Sequence, residues 1–179
     1  MRKVLYIFGL LTDGDIEWMA RTGARRWVKD GEVLIHEGRP VDSLVFLLEG
    51  ELSVSVAGIG EIARLGVGEI VGEMSYVDSA PPFATVTARG KSLALFVGKE
   101  ALSQKLATDV AFGCRFYRAL AMFLADRLRD TVRRLGYGEK KALADDGILK
   151  DELDMAILDN VSMAGDRFHR MLKMLSGAR

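Results

Sequence analysis

The stretch with the most chemistry in this chain is residues 68–86, GEIVGEMSYVDSAPPFATV. A strand-like run ends at Gly72, and Glu73, Met74 and Ser75 can open a short helical turn. A glycine leading into a helix start presents backbone N–H groups that have no acceptor within the helix. Such a corner can hold a phosphate. A carboxylate beside it repels phosphate but accepts hydrogen bonds from sugar hydroxyls. Gly72, Glu73 and Ser75 at this spacing therefore suit a sugar-phosphate. Pro81 and Pro82 stiffen the loop that follows, and Phe83, Ala84 and Thr85 lead into the next strand. Plainer roles compete. Glu73 is also a good helix-start carboxylate, and Ser75 can make a local turn bond.

No other residues assemble a recognisable reaction centre. The two histidines, His36 and His169, stand alone, and no zinc-ligand spacing is present. The single cysteine, Cys114, falls within a helical pattern and reads as a packed small side chain. There is no Ser-His-Asp arrangement and no Walker-type glycine loop. The expectation is a binding protein, not an enzyme, with no catalytic residues, no metal site and no cofactor.

The elements that must position residues 68–86 are legible from periodicity. Residues 13–22 read as a helix capped by Thr12 or Asp13, with Ile16, Met19 and Ala20 on one face. From Ala24 to Gly98, short Val/Ile/Leu runs alternate with glycine-marked turns. The runs are Val33–Ile35, Leu44–Leu48, Leu52–Val56 with serine alternation, Glu61–Leu65, Ala84–Ala88 and Leu93–Val97. Many short strands at regular turn spacing predict an antiparallel sandwich or barrel. After Gly98 the pattern is helical. A short helix covers 99–107 and a long one 109–135. In the long helix, Tyr117, Ala121, Leu124, Leu128, Thr131 and Leu135 form a narrow coiled-coil seam, and Phe116, Leu120 and Phe123 form a second stripe that can cover the barrel. Gly136 and Gly138 stop the helix, Lys140–Gly147 is a polar linker, and residues 149–175 form a last amphipathic helix or helix pair. Ile157, Leu158, Val161, Phe168, Met171, Leu172 and Leu175 supply its apolar face.

Composition agrees with one compact domain and an appendage. The chain has 179 residues, 49% of them hydrophobic, with 25 basic and 25 acidic side chains and no net charge. Nothing global points to nucleic acid or an anionic membrane. A single cysteine fits a reducing compartment. Arg2 and Lys3 before the apolar run Val4–Leu11 imitate a secretory leader. The acids Asp13, Asp15 and Glu17 that follow, without a small-residue cleavage pattern, favour a core-packing segment and a cytoplasmic protein.

The chain as a whole resembles the cyclic-nucleotide-binding superfamily of the catabolite-activator and protein-kinase-A regulatory-subunit type. The family's phosphate-binding cassette opens Gly-Glu-x-Ala-Leu and closes Pro-Arg-Ala-Ala-Thr-Val. Gly72 and Glu73 match the opening, Ser75 stands for its alanine, and Ala84, Thr85 and Val86 match the end. Gly31–Leu34 with Glu37-Gly38, and Phe46–Leu52, look like the family's early strands and turns. The likeness runs over roughly residues 5–135. It implies an α+β fold that is mostly β, an antiparallel β-barrel or jelly roll with an N-terminal helix, a long C-terminal helix and a helical tail. Residues 1–138 would form the binding domain and 139–179 the linker and tail. Ligand contacts would come from Gly72, Glu73, Met74, Ser75, Pro82, Phe83, Ala84 and Thr85.

One departure changes the expected chemistry. The family's cassette arginine pairs with the cyclic phosphate, and that place holds Pro82, which has neither a positive charge nor an N–H. A charge-assisted hydrogen bond contributes about 1.5–3 kcal/mol. Its loss is expected to weaken cyclic AMP binding by roughly ten- to a hundredfold or more, which leaves cyclic AMP or cyclic GMP as a weak ligand. Arg64 and Arg89 are the candidates to replace it, though both read as solvated strand charges. A cyclic dinucleotide also stays open as the ligand.

The cassette, the helix ending Leu-Gly-Tyr-Gly and the tail Glu-Leu-Asp…Leu-Asp-Asn-Val…Ala-Gly-x-Arg-Phe also resemble short bacterial stand-alone members. That group is labelled bacteriocin-transport-associated from genome neighbourhood. The resemblance implies a regulatory protein that dimerises through Tyr117, Ala121, Leu124, Leu128 and Leu135 and offers residues 148–177 to a protein partner. The alternative is a degenerate domain that binds no nucleotide and serves as a scaffold. A transcription factor is the weaker rival, because the tail balances its bases with acids and is short for the family's DNA reader.

Overall fold

The computed structural model describes residues 8–134 and 155–177. The polar linker, the end of the expected seam at Leu135 and residues 1–7 of the N-terminus lie outside the described residues. After a helical segment at residues 8–10, helix α1 spans Asp13–Thr22 and starts on a capping box. The Thr12 hydroxyl accepts from the Asp15 amide, and the Asp15 carboxylate accepts from the Thr12 amide at 2.8 Å. Asp15 is buried, and Arg115 donates to both of its oxygens, at 2.8 and 3.0 Å. The acid therefore joins the cap to a helix a hundred residues away.

Six strands follow: β1 Ala24–Val28, β2 Val33–Ile35, β3 Ser43–Val56, β4 Gly60–Leu65, β5 Ile70–Val71 and β6 Thr85–Gly98. All pairings are antiparallel, in the order β1-β6-β3-β4, with β2 on β6 and β5 on β3. The sheet curls as a jelly roll but does not close, so the barrel of the sequence reading is an open one. The sequence also divides the two central strands in half, at Glu49-Gly50 and at Arg89-Gly90. Each is one 14-residue strand. The register between β3 and β6 slips twice between Leu47 and Glu51. There Gly50 takes φ +92°, and a Cβ on it would lie 2.3 Å from the Ser92 hydroxyl. The glycine that reads as a turn is a bulge that bends a continuous strand. Strand β1 carries no apolar run, because four of its five residues are exposed on a sheet edge. There Trp27 is covered by Lys91 and Phe96 by Arg26.

The bend gives β3 and β6 two apolar faces. Leu44, Phe46 and Leu48, with Leu93, Leu95 and Val97, pack under the helices. Val45, Leu47 and Leu52, with Val86, Ala88 and Ala94, line the inside of the roll. A strand covered on both sides is why residues 44–48 read as an unbroken apolar run.

Four further helices follow among the described residues: α2 Met74–Val77, α3 Lys99–Thr108, α4 Val110–Arg134 and α5 Met155–Gly177. In α4 the stripe Phe116, Leu120 and Phe123 is buried against the sheet, as its spacing predicts. The other stripe is divided. Tyr117, Ala121 and Leu128 are exposed, while Leu124 leans on the helical core. Cys114, expected in a packed position, is exposed, because it lies on the solvent side of α4 between the buried Phe112 and Phe116. The described part of the tail docks on its own domain. Ala164, Met171 and Leu175 are buried in the helical core, and Arg167 reaches Asp13 at 2.8 Å and the carbonyls of Phe8 and Gly9 at 3.1 Å.

Candidate functional site

The cassette occupies the turn between β5 and β6 and forms one side of a cavity of about 410 Å³. That size falls within the range of about 300–1,000 Å³ typical of small-molecule sites. Gly72 makes the corner. Its φ is +88°, and a Cβ would meet the Ser43 carbonyl oxygen at 2.8 Å. Here only glycine brings β5 close against the start of β3. Glu73 then begins the single turn of α2. Across the cavity, Pro82 is held by its carbonyl, which accepts from the Gly38 amide at 2.8 Å.

Seven of the eight residues read from the sequence as ligand contacts line this cavity: Gly72, Glu73, Met74, Ser75, Pro82, Phe83 and Ala84. Thr85 does not. Its hydroxyl accepts from the Glu37 amide at 3.2 Å and ties the start of β6 to the β2–β3 turn. The remaining walls are mainly apolar, with Ile35, Val54, Ile62, Leu65, Val71 and Val86 contributing from the strands.

Two lining residues come from α4, Arg127 and Thr131, and neither is apparent in the cassette. Arg127 donates to the Glu73 carboxylate and to the Ile70 carbonyl at 2.9 Å, lies 3.3 Å from Glu69, and sits over the Phe123 ring. The signal that could have found it is the buried stripe itself. Positions 116, 120 and 123 continue at 127 with helical spacing, so an arginine there must face inward. Thr131, part of the coiled-coil seam in the sequence reading, is exposed yet borders the cavity, and its hydroxyl donates to the Arg127 carbonyl at 2.9 Å.

The electrostatics of the site are closed on themselves. Glu73 is 2% exposed. Burial pushes its carboxyl above the ordinary glutamate range, while Arg127 and a backbone N–H oppose that rise. The other cation in the lining, Arg64, points along the outside of the sheet and donates to Glu61 at 2.6 Å. Arg89 lies outside the cavity lining and joins the same cluster, 3.1 Å from Glu61 and 3.6 Å from Glu51. Neither arginine takes the place left empty by Pro82.

A family model for the cyclic nucleotide-binding domain matches residues 25–109. A protein of Rhodopseudomonas palustris described as a potassium channel is 31% identical over 84 residues, which are 46% of this chain and only 20% of that protein. The crystal structure of a cyclic nucleotide-binding domain from Methylobacillus flagellatus superposes with a TM-score of 0.67 at 26% identity, over 74% of this chain and 80% of that one. The c-di-GMP-responsive global regulator of Xanthomonas campestris shares the fold, with a TM-score of 0.61 at 21% identity over 92% of both chains. Strand order, the cassette corner and these likenesses agree: residues 25–109 match the cyclic nucleotide-binding domain in sequence and in fold.

Proposed function

We propose that this protein is a ligand-responsive regulator that signals through α4, with no chemistry of its own. The observation that carries the reading is the contact of Arg127 with Glu73. The long helix is fastened to the cassette inside the cavity that a ligand would enter. A sugar hydroxyl that takes up the Glu73 carboxylate competes with Arg127, so ligand contacts differ between the fastened and released positions of α4. That difference is the requirement for a ligand to shift a conformational equilibrium. Exposed Tyr117, Ala121 and Leu128 give α4 a face on which two copies can meet. The tail helix α5, which shares the helical core with α4, supplies a second surface for a protein partner within residues 148–177.

Cyclic nucleotides are the ligand class of the superfamily, and the absent cassette cation argues for weak binding of cyclic AMP and cyclic GMP. The same absence, with Glu73 already paired, favours a second reading, a scaffold that has lost its ligand. A melting screen against cyclic mononucleotides and dinucleotides separates the two. A ligand at a hundred times its Kd stabilises by about 2.7 kcal/mol. A flat response to every compound removes the cyclic nucleotide as the ligand of the sensor reading.

A further inference from the structure

We infer that the cassette cavity takes an uncharged, largely apolar small molecule carrying a single hydrogen-bonding group, in preference to a phosphodiester anion. The inference rests on the reading of this cavity as the sensing site. It follows from what each wall offers. Of the two cations in the lining, Arg127 is shared among Glu73, Glu69 and the Ile70 carbonyl, and Arg64 is bound to Glu61 on the outer surface. An anion entering the cavity would have to strip one of these pairs, leaving a buried carboxylate without its partner in the case of Glu73. A neutral molecule brings no charge that competes with Glu73 and Glu61 for these arginines.

The rim points the same way. Phe83 is 59% exposed, Ile62 43% and Met74 41%, all at one cavity mouth. Large apolar side chains grouped around an apolar cavity are a surface that gains by being covered. Among the polar side chains of the lining, the Ser75 hydroxyl is half-buried and makes no hydrogen bond with a described residue. It is the natural partner for one hydroxyl, carbonyl or amide of the ligand. Pro82 and Phe83, which stand where the resemblance expects a phosphate contact, thus serve as hydrophobic wall and lid.

The test uses the full chain and the uncharged fluorophore N-phenyl-1-naphthylamine, with cyclic AMP as charged competitor. The expected result is saturable, one-per-chain binding with a blue-shifted emission that cyclic AMP fails to displace at micromolar concentration. Phe83→Ser with Ile62→Ser, both at exposed positions, should weaken the fluorophore by about tenfold or more without changing the melting temperature. Pro82→Arg should weaken the fluorophore and strengthen cyclic AMP. Displacement by micromolar cyclic AMP overturns the inference and leaves the sensor reading standing. Fluorophore binding that ignores the rim substitutions, or none by the folded wild type, also overturns it. The sensor reading falls with it only when the cyclic nucleotide screen is flat as well.

Discussion

Arg115 and Asp15 meet in a two-pronged ion pair that binds the first turn of α1 to the first half of α4, and the same carboxylate closes the α1 capping box. Burial pushes the Asp15 carboxyl up, but the hydrogen bonds from Arg115 and Thr12 outweigh it and hold the group below its ordinary value of 3.8. A carboxyl depressed in the folded state stabilises fully above its unfolded value, and that contribution is lost as the pH falls through the folded value. Asp15→Asn should therefore cost about 1.5–3 kcal/mol at neutral pH, or about 4–10 °C in Tm. It should also flatten the loss of stability below the ordinary value of 3.8. Melting curves taken from neutral pH into that acid range check both statements; an unchanged acid limb in the variant would refute the assignment.

Glu73 should show the opposite sign. Its folded carboxyl is raised by burial, so protonation favours the fold. That stabilisation is present below the ordinary value of 4.5 and disappears as the pH rises through the folded value. Arg127→Met removes the cation that opposes the rise and strands Glu73, which should cost about 3–5 kcal/mol at neutral pH. Acidification should restore part of the loss. In the double variant with Glu73→Gln the recovery should vanish, and its persistence would place the titrating group elsewhere.

Pro82→Arg tests whether the cassette lacks only a cation. Arginine offers a planar donor fork that fits two phosphate oxygens. The expected gain in cyclic AMP affinity is about 1.5–3 kcal/mol, or roughly ten- to a hundredfold, measured by calorimetry with Glu73→Ala as control. Tight binding by the wild type would mean that another group has assumed the arginine's role.

The exposed face of α4 predicts a homodimer. Leu128 is 64% exposed, so Leu128→Glu should leave the monomer's fold and melting intact while shifting light scattering from dimer to monomer. A monomeric wild type at tens of micromolar would sink the proposal. The seam spans about three heptads, too few to hold two helices alone, so other surfaces must join it.

Much of this site was legible in the sequence because it lies on one contiguous stretch. Gly72 marks a positive φ, two prolines mark a loop, and the strands on either side keep their periodicity. What escaped is the contribution of distant segments. Arg127 is one of many arginines in α4, and local pattern treats an arginine as solvent-facing even where the stripe 116, 120, 123 carries it inward. The two long strands escaped for a related reason. Glu49-Gly50 and Arg89-Gly90 have turn chemistry, and only pairing across β3 and β6 reveals them as bends. Strand β1 has no apolar face to announce it, since its place is set by hydrogen bonds to β6.

The two-faced strands have a consequence for how the molecule comes apart. Leu44, Phe46 and Leu48 belong to one core and Val45 and Leu47 to the other, so a single backbone is the dividing wall of two compartments. Neither compartment can melt while the wall stays in register, since a one-residue slip exchanges every side chain between them. The ligand cavity and the helical layer should accordingly lose structure in one transition, with calorimetric and van't Hoff enthalpies in agreement.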